Sequence, residues 1–418
     1  MNRLLALATS SAAVALLSAC SGAAGTPGLP AAGSAEAVVP PAAQGAVIRS
    51  CAQPLPGDRF RCFAEFRADL ARGSKRVRPA QPSGYGPSQL QSAYSLPSST
   101  DGSGQTVAIV DAYNDPHAAS DLAVYRSEYG LPACTTSSGC FKQVSQTGSS
   151  NLPENNGGWA EEESLDMDMV SAICPNCKII LVEANSATTS NLDKAEDEAV
   201  ALGANVVTNS YGGSEYEASD PAYSHAGVVI VASAGDDGYA EGSQQPCSFE
   251  SVVCAGGTSL STASNHRGWA EVVWNDSYGA TGSGCSSEVS KPSWQSDTGC
   301  TKRSQSDVAF DADPATGVAV YDSYSYEGYE GWLVFGGTSV ASPALASVFA
   351  LAGNESSLGP EAAEPIWKDA GAGLNNVTSG NNGSCPSDIK YICTAGTGDD
   401  GVYSGPAGWG TPNGIADF

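Results

Sequence analysis

The sequence predicts an α/β protein with a doubly wound, mostly parallel sheet flanked by helices. From residue 81 onward, short runs typical of buried strands, such as QTVAIVD at 105–111, alternate with helical patterns, and no obvious linker interrupts them. In chain order, the expected strands are 105–111, 178–183, 205–209 and 227–233, and the expected helices are 117–129, 159–174 and 191–202. Such sheets bind ligands at the carboxyl ends of their strands, so we expect the functional site there.

The amino-terminal region predicts an exported protein. Residues 1–20 have the short basic start, apolar run and small-residue end of a signal peptide. Leu17-Ser18-Ala19-Cys20 is similar to the lipobox of bacterial lipoproteins, so Cys20 is a candidate lipid anchor; an ordinary signal peptide is the alternative. Residues 21–82 are expected to form an Ala/Gly/Pro-rich tether and a short basic leader, and 83–418 the main domain. We expect the cell envelope or the extracellular space as its location, with the anchor as the only membrane contact.

Cysteine spacing predicts an oxidising compartment. Of thirteen cysteines, twelve remain after Cys20 is set aside, and they fall as neighbours along the chain. The predicted disulfides are Cys51/Cys62, Cys134/Cys140, Cys174/Cys177, Cys247/Cys254, Cys285/Cys300 and Cys385/Cys393. The CxxC at Cys174 and Cys177 is also compatible with a redox or zinc motif, although the chain has no second CxxC to complete a zinc site.

Charge is divided unevenly. The net charge is −26; residues 49–78 carry eight Lys or Arg against three acids, whereas residues 81–418 carry ten against forty-one. An acidic main domain argues against a nucleic-acid partner and fits a protein that works at low pH. The basic leader has two interpretations: it docks on the acidic domain, or it is a solvated arm.

Ser339 begins an apolar run in the stretch FGGTSVASPALASVFALAG at 335–353. A Ser in this position is typical of a helix N-cap. A helix N-terminus also stabilises a developing anion, so the same Ser is a candidate nucleophile. The stretch by itself leaves both roles open.

Two carboxylates on the predicted helix 159–174 are candidates for acid–base chemistry. Glu162 falls inside the apolar stripe and Asp166 lies one turn further on, at its edge. Burial and mutual repulsion should raise at least one pKa and leave a shared proton, as a general base at acidic pH requires. The alternative is a solvated acidic helix start, which accounts for Glu161 and Glu163 but poorly for Glu162.

Asp236 follows the predicted strand 227–233. It suits an ordinary turn, but a protonated Asp here could also donate a hydrogen bond to an oxyanion. None of the three histidines has a sequence context suited to a Ser/His/Asp triad, so a Ser nucleophile would need another base. Asp111, at the end of the first strand, is expected to be a structural or supporting acid.

Four ordered motifs carry a family resemblance: Glu162-x-x-x-Asp166, SYGG at 210–213, SAGD at 233–236 and GTSxxxP at 337–343. Together they resemble the sedolisin family of serine-carboxyl peptidases over residues 83–418. The resemblance implies a subtilisin-like fold and acid-acting endopeptidase activity on protein or peptide substrates. It makes Ser339 the nucleophile and Glu162 its general base, oriented by Asp166. A protonated Asp236 and the Ser339 backbone N–H would form the oxyanion hole.

The resemblance also implies one Ca²⁺ site near the C-terminus. Asn376 and Val377 occupy the place of the family's first Asp and its neighbour, and Gly396, Gly398 and Asp400 match the remainder. Asn376 keeps an oxygen ligand but loses a charge, which predicts weaker binding, and Cys385/Cys393 is a candidate brace for the loop. A Gly-rich turn without an ion is the alternative.

Two other function classes stay open, namely an inactive protease scaffold serving as a surface binding protein and a conventional Ser/His/Asp hydrolase. The protein is expected to be a monomer. The stretch between Cys20 and the main domain is too short for the long folded propeptide common in sedolisins. The basic leader is then either a reduced version of it or unrelated.

Overall fold

The computed structural model describes residues 47–71, 82–358, 360–398 and 401–418. The predicted signal peptide, Cys20 and the tether up to residue 46 lie outside the described residues. So do Asp400 and the basic residues of the leader beyond Ala71.

The strands of the described residues are as follows in chain order. They are β1 Val47–Arg49, β2 Arg61–Cys62, β3 Glu65–Arg67, β4 Thr106–Ala112, β5 Phe141–Ser145, β6 Lys178–Ala184, β7 Val206–Asn209, β8 Tyr211–Ser214, β9 Val229–Ser233, β10 Gln244–Gln245, β11 Val252–Thr262, β12 Trp269–Val273, β13 Gly284–Ser290, β14 Lys302–Gln305, β15 Val308–Asp311, β16 Val318–Tyr326 and β17 Tyr329–Gly336.

The α-helices of the described residues are α1 Ala68–Ala71, α2 Pro87–Ala93, α3 Ala118–Glu128, α4 Gly157–Ile173, α5 Thr189–Ala201, α6 Thr338–Ala352, α7 Glu355–Leu358 and α8 Glu364–Lys368. The predicted strands correspond to β4, β6, β7 and β9, and the predicted helices to α3, α4 and α5.

The main sheet has the strand order β12-β11-β9-β7-β4-β6-β5, with β15 paired to β11. All of its pairs are parallel except β11 with β12. Parallel neighbours need crossover helices, and these cover both faces of the sheet. The doubly wound α/β prediction is therefore confirmed.

Alternation along β4 shows how the two faces are built. Val107 and Ile109 belong to the apolar cluster that includes residues of α3, α4 and α6, whereas Ala108 and Val110 belong to the cluster that includes residues of α5. Successive side chains of a strand point to opposite faces, so one buried strand supplies both layers of the core. The small-residue helix α6 is buried almost throughout because it packs against both the sheet and α4.

Helix α4 differs from the sequence prediction in one respect. Glu161 and Glu163 are fully buried, as is Glu162, so a solvated acidic helix start is wrong. The helix lies between α3, α6 and β16, and almost every one of its side chains is covered. Glu161 accepts a hydrogen bond from the Ser50 hydroxyl at 2.7 Å. Amphipathic periodicity could not reveal this, because a helix covered on all sides has no solvent face.

The described part of the leader, residues 47–71, docks on the main domain, and we call it the docked leader. Its strand β2 pairs with β8, and β3 pairs with both β1 and β17. The docking interpretation of the basic leader is therefore correct for these residues.

The cysteines of the described residues form the six predicted pairs, including Cys174 with Cys177. Within the same residues, no helix has the length and apolar character that crossing a membrane requires.

Candidate active site

Ser339 lies in the first turn of α6, at the carboxyl edge of the parallel strands. The N-cap of the helix is Gly337, whose φ of 94° favours glycine. The expected capping role of Ser339 is therefore wrong, since the cap falls two residues earlier. The Ser339 hydroxyl is fully buried and donates to the Ser210 carbonyl at 3.2 Å.

Pro343 explains a second contact between the same two residues. A proline inside a helix has no N–H to offer the carbonyl four residues earlier, which here belongs to Ser339. That carbonyl accepts from the Ser210 hydroxyl at 3.4 Å instead. The Ser210 hydroxyl also lies 2.8 Å from Asp166 Oδ1. Ser210 thus connects the first turn of α6 to α4.

Helix α4 brings Glu162 and Asp166 to this point. Both are fully buried, and burial is the main cause that raises their pKa values well above the usual carboxyl range. The charge of Asp166 raises the pKa of Glu162 further, whereas the hydrogen bond from the Ala64 amide and the nearby Ser339 hydroxyl lower it. The Ser339 hydroxyl is directed at the Ser210 carbonyl, and Glu162 Oε1 has no hydrogen-bond partner among the described residues. A carboxyl oxygen that is free to accept, with a proton to share, is what a carboxylate base beside this serine needs.

Asp111 extends the carboxylate group behind Asp166. It is the next-to-last residue of β4 and is fully buried, and neither of its carboxyl oxygens has a hydrogen-bond partner among the described residues. Burial raises its pKa, with the charges of Glu162 and Glu183 adding to the effect. Its own charge in turn raises the pKa of Asp166. The supporting position expected for Asp111 agrees with this arrangement.

Asp236 reaches the same helix end from the turn after β9. Its Oδ1 accepts from the Thr338 amide at 2.8 Å and from the Thr338 hydroxyl at 2.7 Å. Burial raises its pKa to about 7, and the two bonds from Thr338 oppose that rise. Its Oδ2 has no hydrogen-bond partner in the described part of the chain. A neutral Asp236 therefore has a free O–H directed away from Thr338.

The docked leader covers this group of residues. The Ala64 amide donates to Glu162 Oε2 at 2.8 Å, and the Phe63 amide donates to the Ser210 carbonyl at 3.2 Å. The sequence did not identify these two residues as part of the site, because the basic character of the leader left docking and a solvated arm both open and gave no position for docking.

The three histidines lie elsewhere. His117 hydrogen-bonds the Ser323 hydroxyl at 2.9 Å, His225 contacts the Ala222 carbonyl at 2.9 Å, and His266 is exposed. The base nearest to Ser339 is a carboxylate, as the sequence predicts.

The two stretches that carry the predicted calcium ligands are in contact where the structure describes them. A Cβ built on Gly396 would clash with the Thr378 carbonyl, and the Ala395 amide donates to the Gly380 carbonyl at 3.1 Å. The 376–380 and 394–398 stretches therefore run side by side. Their donors are backbone carbonyls and the Asn376 amide oxygen, and hard oxygen atoms of this kind fit Ca²⁺. The described residues contain no cluster of three or more acidic, His or Cys side chains suited to a metal, so the fit depends on the carbonyls.

A buried serine at a helix N-terminus, placed over the carboxyl ends of a parallel sheet with carboxylates beside it, defines a subtilisin-like scaffold. Comparison with family models gives a match to the subtilase family (peptidase S8) over residues 150–369, more than half of the chain. The chain belongs to the subtilase family.

Individual relatives are sedolisins, as the motifs predict. Kumamolisin from Bacillus sp. (strain MN-32) is 32% identical over 344 residues, covering 72% of this chain and 57% of kumamolisin. Sedolisin from Pseudomonas sp. (strain 101) is 30% identical over 379 residues, covering 81% of this chain and 61% of sedolisin. This chain thus spans about three-fifths of the length of these relatives.

A solved structure confirms the fold. The structure of Pseudomonas sedolisin, a serine-carboxyl proteinase complexed with two molecules of pseudo-iodotyrostatin, matches with a TM-score of 0.66 and 28% identity. The match covers 80% of this chain and 96% of that chain. The sedolisin resemblance and the subtilisin-like fold predicted from the sequence are both confirmed.

Proposed function

We propose that this protein is a serine-carboxyl endopeptidase that hydrolyses peptide bonds of proteins at acidic pH. The observation that carries the proposal is the convergence of Glu162 and Asp236, both fully buried, on the end of α6 that holds Ser339. Similarity to sedolisin and kumamolisin supports the same activity.

Glu162 acts as the general base in the proposed reaction. It takes the Ser339 proton as Oγ attacks the scissile carbonyl carbon, and it then gives that proton to the leaving amine. Asp166 orients Glu162 and shares its proton, with the Ser210 hydroxyl holding Asp166 in place at 2.8 Å. Water activated by Glu162 then hydrolyses the acyl-serine ester. A carboxylate base fits acidic conditions because a histidine would be protonated there.

Asp236 serves as an oxyanion donor. Both Thr338 contacts fall on Oδ1, so the proton of a neutral Asp236 resides on Oδ2 and can point at the developing negative charge. The free N–H groups at the start of α6 add to that stabilisation. Below about pH 7, the raised pKa of Asp236 keeps it in this neutral form.

The test is digestion of a denatured protein at acidic pH by the wild type, Ser339→Ala and Glu162→Gln, each incubated at that pH beforehand. We expect loss of activity in both variants. His117→Ala, His225→Ala and His266→Ala are the matched controls and should remain active. Digestion by Ser339→Ala would overturn the mechanism, and loss of activity in a histidine variant would favour a Ser/His/Asp hydrolase. A wild type that binds protein but never cuts it would be an inactive scaffold.

Ca²⁺ binding belongs to the same proposal. The Asn376 side chain, Asp400 and the carbonyls of Val377, Gly396 and Gly398 would hold the ion. When bound, the ion would supply structural cross-linking of the C-terminal loops and no step of the reaction.

We further propose export, with a lipid anchor at Cys20. The signal-like sequence of residues 1–20 and six disulfides in the folded domain support it. Metabolic labelling with a radioactive fatty acid tests the anchor, since Cys20→Ala should abolish the label. Label retained in that variant would contradict the assignment.

A further inference from the structure

The turn that carries Asp236 rests on a short stretch of backbone, residues 280–283, which we call the support segment. The Ala280 amide donates to the carbonyl of Asp236 itself at 2.9 Å. The Gly282 amide donates to the carbonyl of Gly235 at 2.6 Å. The main chain of the turn is therefore held at two successive carbonyls by a segment that lies outside the catalytic group.

The Asn382 side chain holds the support segment in turn. It is buried, and its Nδ2 donates to the Thr281 carbonyl and to the Ser283 hydroxyl, each at 2.7 Å. The Thr281 carbonyl and the Gly282 amide belong to one planar peptide unit, so a bond at one end of the unit orients the other end. Asn382 thus directs the N–H that holds Gly235, the residue before Asp236.

The backbone of Asn382 connects the same turn to the C-terminal part of the chain. Its carbonyl accepts from the Tyr239 amide at 3.0 Å, three residues after Asp236. Its own amide donates to the Cys393 carbonyl at 3.0 Å, and Cys393 forms a disulfide with Cys385. Asn382 therefore contacts the turn on one side, the support segment with its side chain, and a disulfide-closed loop on the other side.

Neither Asn382 nor the support segment carries a charge. The charged groups that act on Asp236 or adjoin it are Arg49, Arg61 and Glu65 of the docked leader, Glu162 of α4, and Asp237 of the same turn, which pairs with both arginines. A change of Asn382 to another neutral residue leaves all of these charges in place. Its effect on Asp236 would therefore come from position and not from a direct charge.

We propose that Asn382 is a positioning residue for the oxyanion donor: by holding the support segment, it keeps Asp236 Oδ2 where the oxyanion of the substrate forms. This proposal rests on the peptidase function proposed above. An oxyanion donor stabilises the transition state only when it is fixed in place before the reaction. A displacement of about 1 Å that originates far from the reacting atoms can cost up to about 10²-fold in rate.

A double-mutant cycle with Asp236 tests the proposal. Asn382→Ala removes both side-chain bonds and keeps the backbone bonds. At acidic pH it should lower kcat for a peptide substrate by about 10- to 100-fold, with KM within about twofold of wild type. In the Asp236→Ala background the same change should alter kcat by less than about twofold, because the group that Asn382 positions is gone. An equal loss in both backgrounds would indicate a general structural role and overturn the proposal.

Asn381→Ala is the matched control. Asn381 is the exposed neighbour of Asn382, and its side chain contacts Asn275 and Gly383 instead of the support segment. Its replacement should leave kcat unchanged.

Ser283→Ala is a second variant in case Asn382→Ala impairs folding. It removes one of the two acceptors of Asn382 and should lower kcat by about fivefold, the equivalent of one hydrogen bond. This loss should also disappear in the Asp236→Ala background, and its persistence there would contradict the proposal.

Hydrogen exchange measured by mass spectrometry follows the support segment without using activity. In the Ser339→Ala background, Asn382→Ala should speed exchange of residues 235–241 and 280–283 by about tenfold or more, and Asn381→Ala should not. Unchanged exchange in Asn382→Ala would overturn the proposed hold on the segment.

The outcomes separate this proposal from the peptidase function. A wild type that cleaves peptides, together with an Asn382→Ala variant of equal kcat, would overturn the positioning role and leave the function standing. A wild type that cleaves no peptide would overturn the function and this proposal with it.

Discussion

Asp236 Oδ1 accepts two hydrogen bonds from Thr338, at 2.8 Å from its amide and 2.7 Å from its hydroxyl. Oδ1 is thereby occupied as a hydrogen-bond acceptor, so only Oδ2 can carry a proton. Because Thr338 immediately precedes Ser339, the same contacts fix Asp236 relative to the nucleophile. The role proposed for Asp236 depends on this division between its two oxygens.

The first prediction concerns Asp236→Asn. An amide keeps the acceptor for Thr338 and offers an N–H at all pH values, whereas Asp236 loses its proton as pH rises through its pKa of about 7. Wild-type kcat/KM should therefore fall above about pH 7, and that fall should be absent or displaced to higher pH in Asp236→Asn. Below about pH 7, where Asp236 is neutral in the wild type, Asp236→Ala should lose about 10²- to 10³-fold. If kcat/KM of Asp236→Asn falls above about pH 7 as it does in the wild type, the role of Asp236 as oxyanion donor is contradicted.

A second prediction concerns the carboxylate behind the base. The charge of Asp111 raises the pKa of Asp166, so replacing it by a neutral amide should allow Asp166 to ionise at lower pH. We expect Asp111→Asn to shift the acid limb of the kcat/KM profile to lower pH, with kcat reduced less than tenfold, as expected for a group outside the proton path.

Asp193→Asn is the matched control for Asp111→Asn. Asp193 also has a pKa raised mainly by burial, but the charges that act on it are those of Asp220, Glu217 and Asp197. Asp193→Asn should leave the acid limb of the kcat/KM profile at the same pH as in the wild type. An equal shift in both variants would indicate a general electrostatic effect, not one transmitted through Asp166.

Sequence patterns predicted most of what depends on local periodicity and little of what depends on contact between distant segments. Strand β4 and helix α4 fall within two residues of their expected bounds because buried strands and long helices have strong local signals. Ser339, Glu162 and Asp236 were assigned to one site from the order of their motifs along the chain. Their spacing in the sequence does not by itself give the distance between them in space. Gly337 was missed as the helix cap because neither its φ of 94° nor the Phe63 carbonyl packed against it can be inferred from local sequence.

Buried acids predict how stability varies with pH. Burial raises the pKa of Asp115 to about 7 and that of Glu183 to about 8. Each carboxyl holds its proton in the folded state more tightly than in the unfolded chain, where the pKa is about 4. Their contribution to folding stability is therefore full below about pH 4 and is lost as pH rises through about 7 to 8.

The third prediction is that Tm of the Ser339→Ala protein, which avoids self-digestion, falls as pH is raised from about 4 to 8. Adding Asp115→Asn should flatten this fall, because the amide keeps the Oδ1 acceptor for the His117 amide and releases no proton. For one buried carboxyl the difference should amount to a few kcal/mol across that range. Glu128→Gln, at an exposed residue, should leave the slope unchanged.

A fourth prediction tests the proposed Ca²⁺ site. Adding a carboxylate at Asn376, which is exposed, should tighten binding by supplying the charge that Asn lacks. We expect Asn376→Asp to gain about tenfold in Ca²⁺ affinity by calorimetry, a gain of about 1.4 kcal/mol. Chelation should lower Tm of the wild type. Asn151→Asp adds the same charge on another loop and should not alter affinity. A wild-type Tm indifferent to chelator, with no heat of binding, would favour a Gly-rich turn without an ion.

The fifth prediction concerns Gly212, which forms a wall of the pocket around Phe63. A Cβ there would stand 2.7 Å from the Phe63 ring, so Gly212→Val should exclude large aromatic residues from this position. Cleavage after Phe or Tyr should fall about 10- to 200-fold relative to cleavage after Ala, as expected when a pocket is narrowed by a few methyl groups. Mapping the cut sites in a peptide library measures this ratio. Unchanged preference for aromatic residues would show that substrates do not place their side chains where the leader places Phe63.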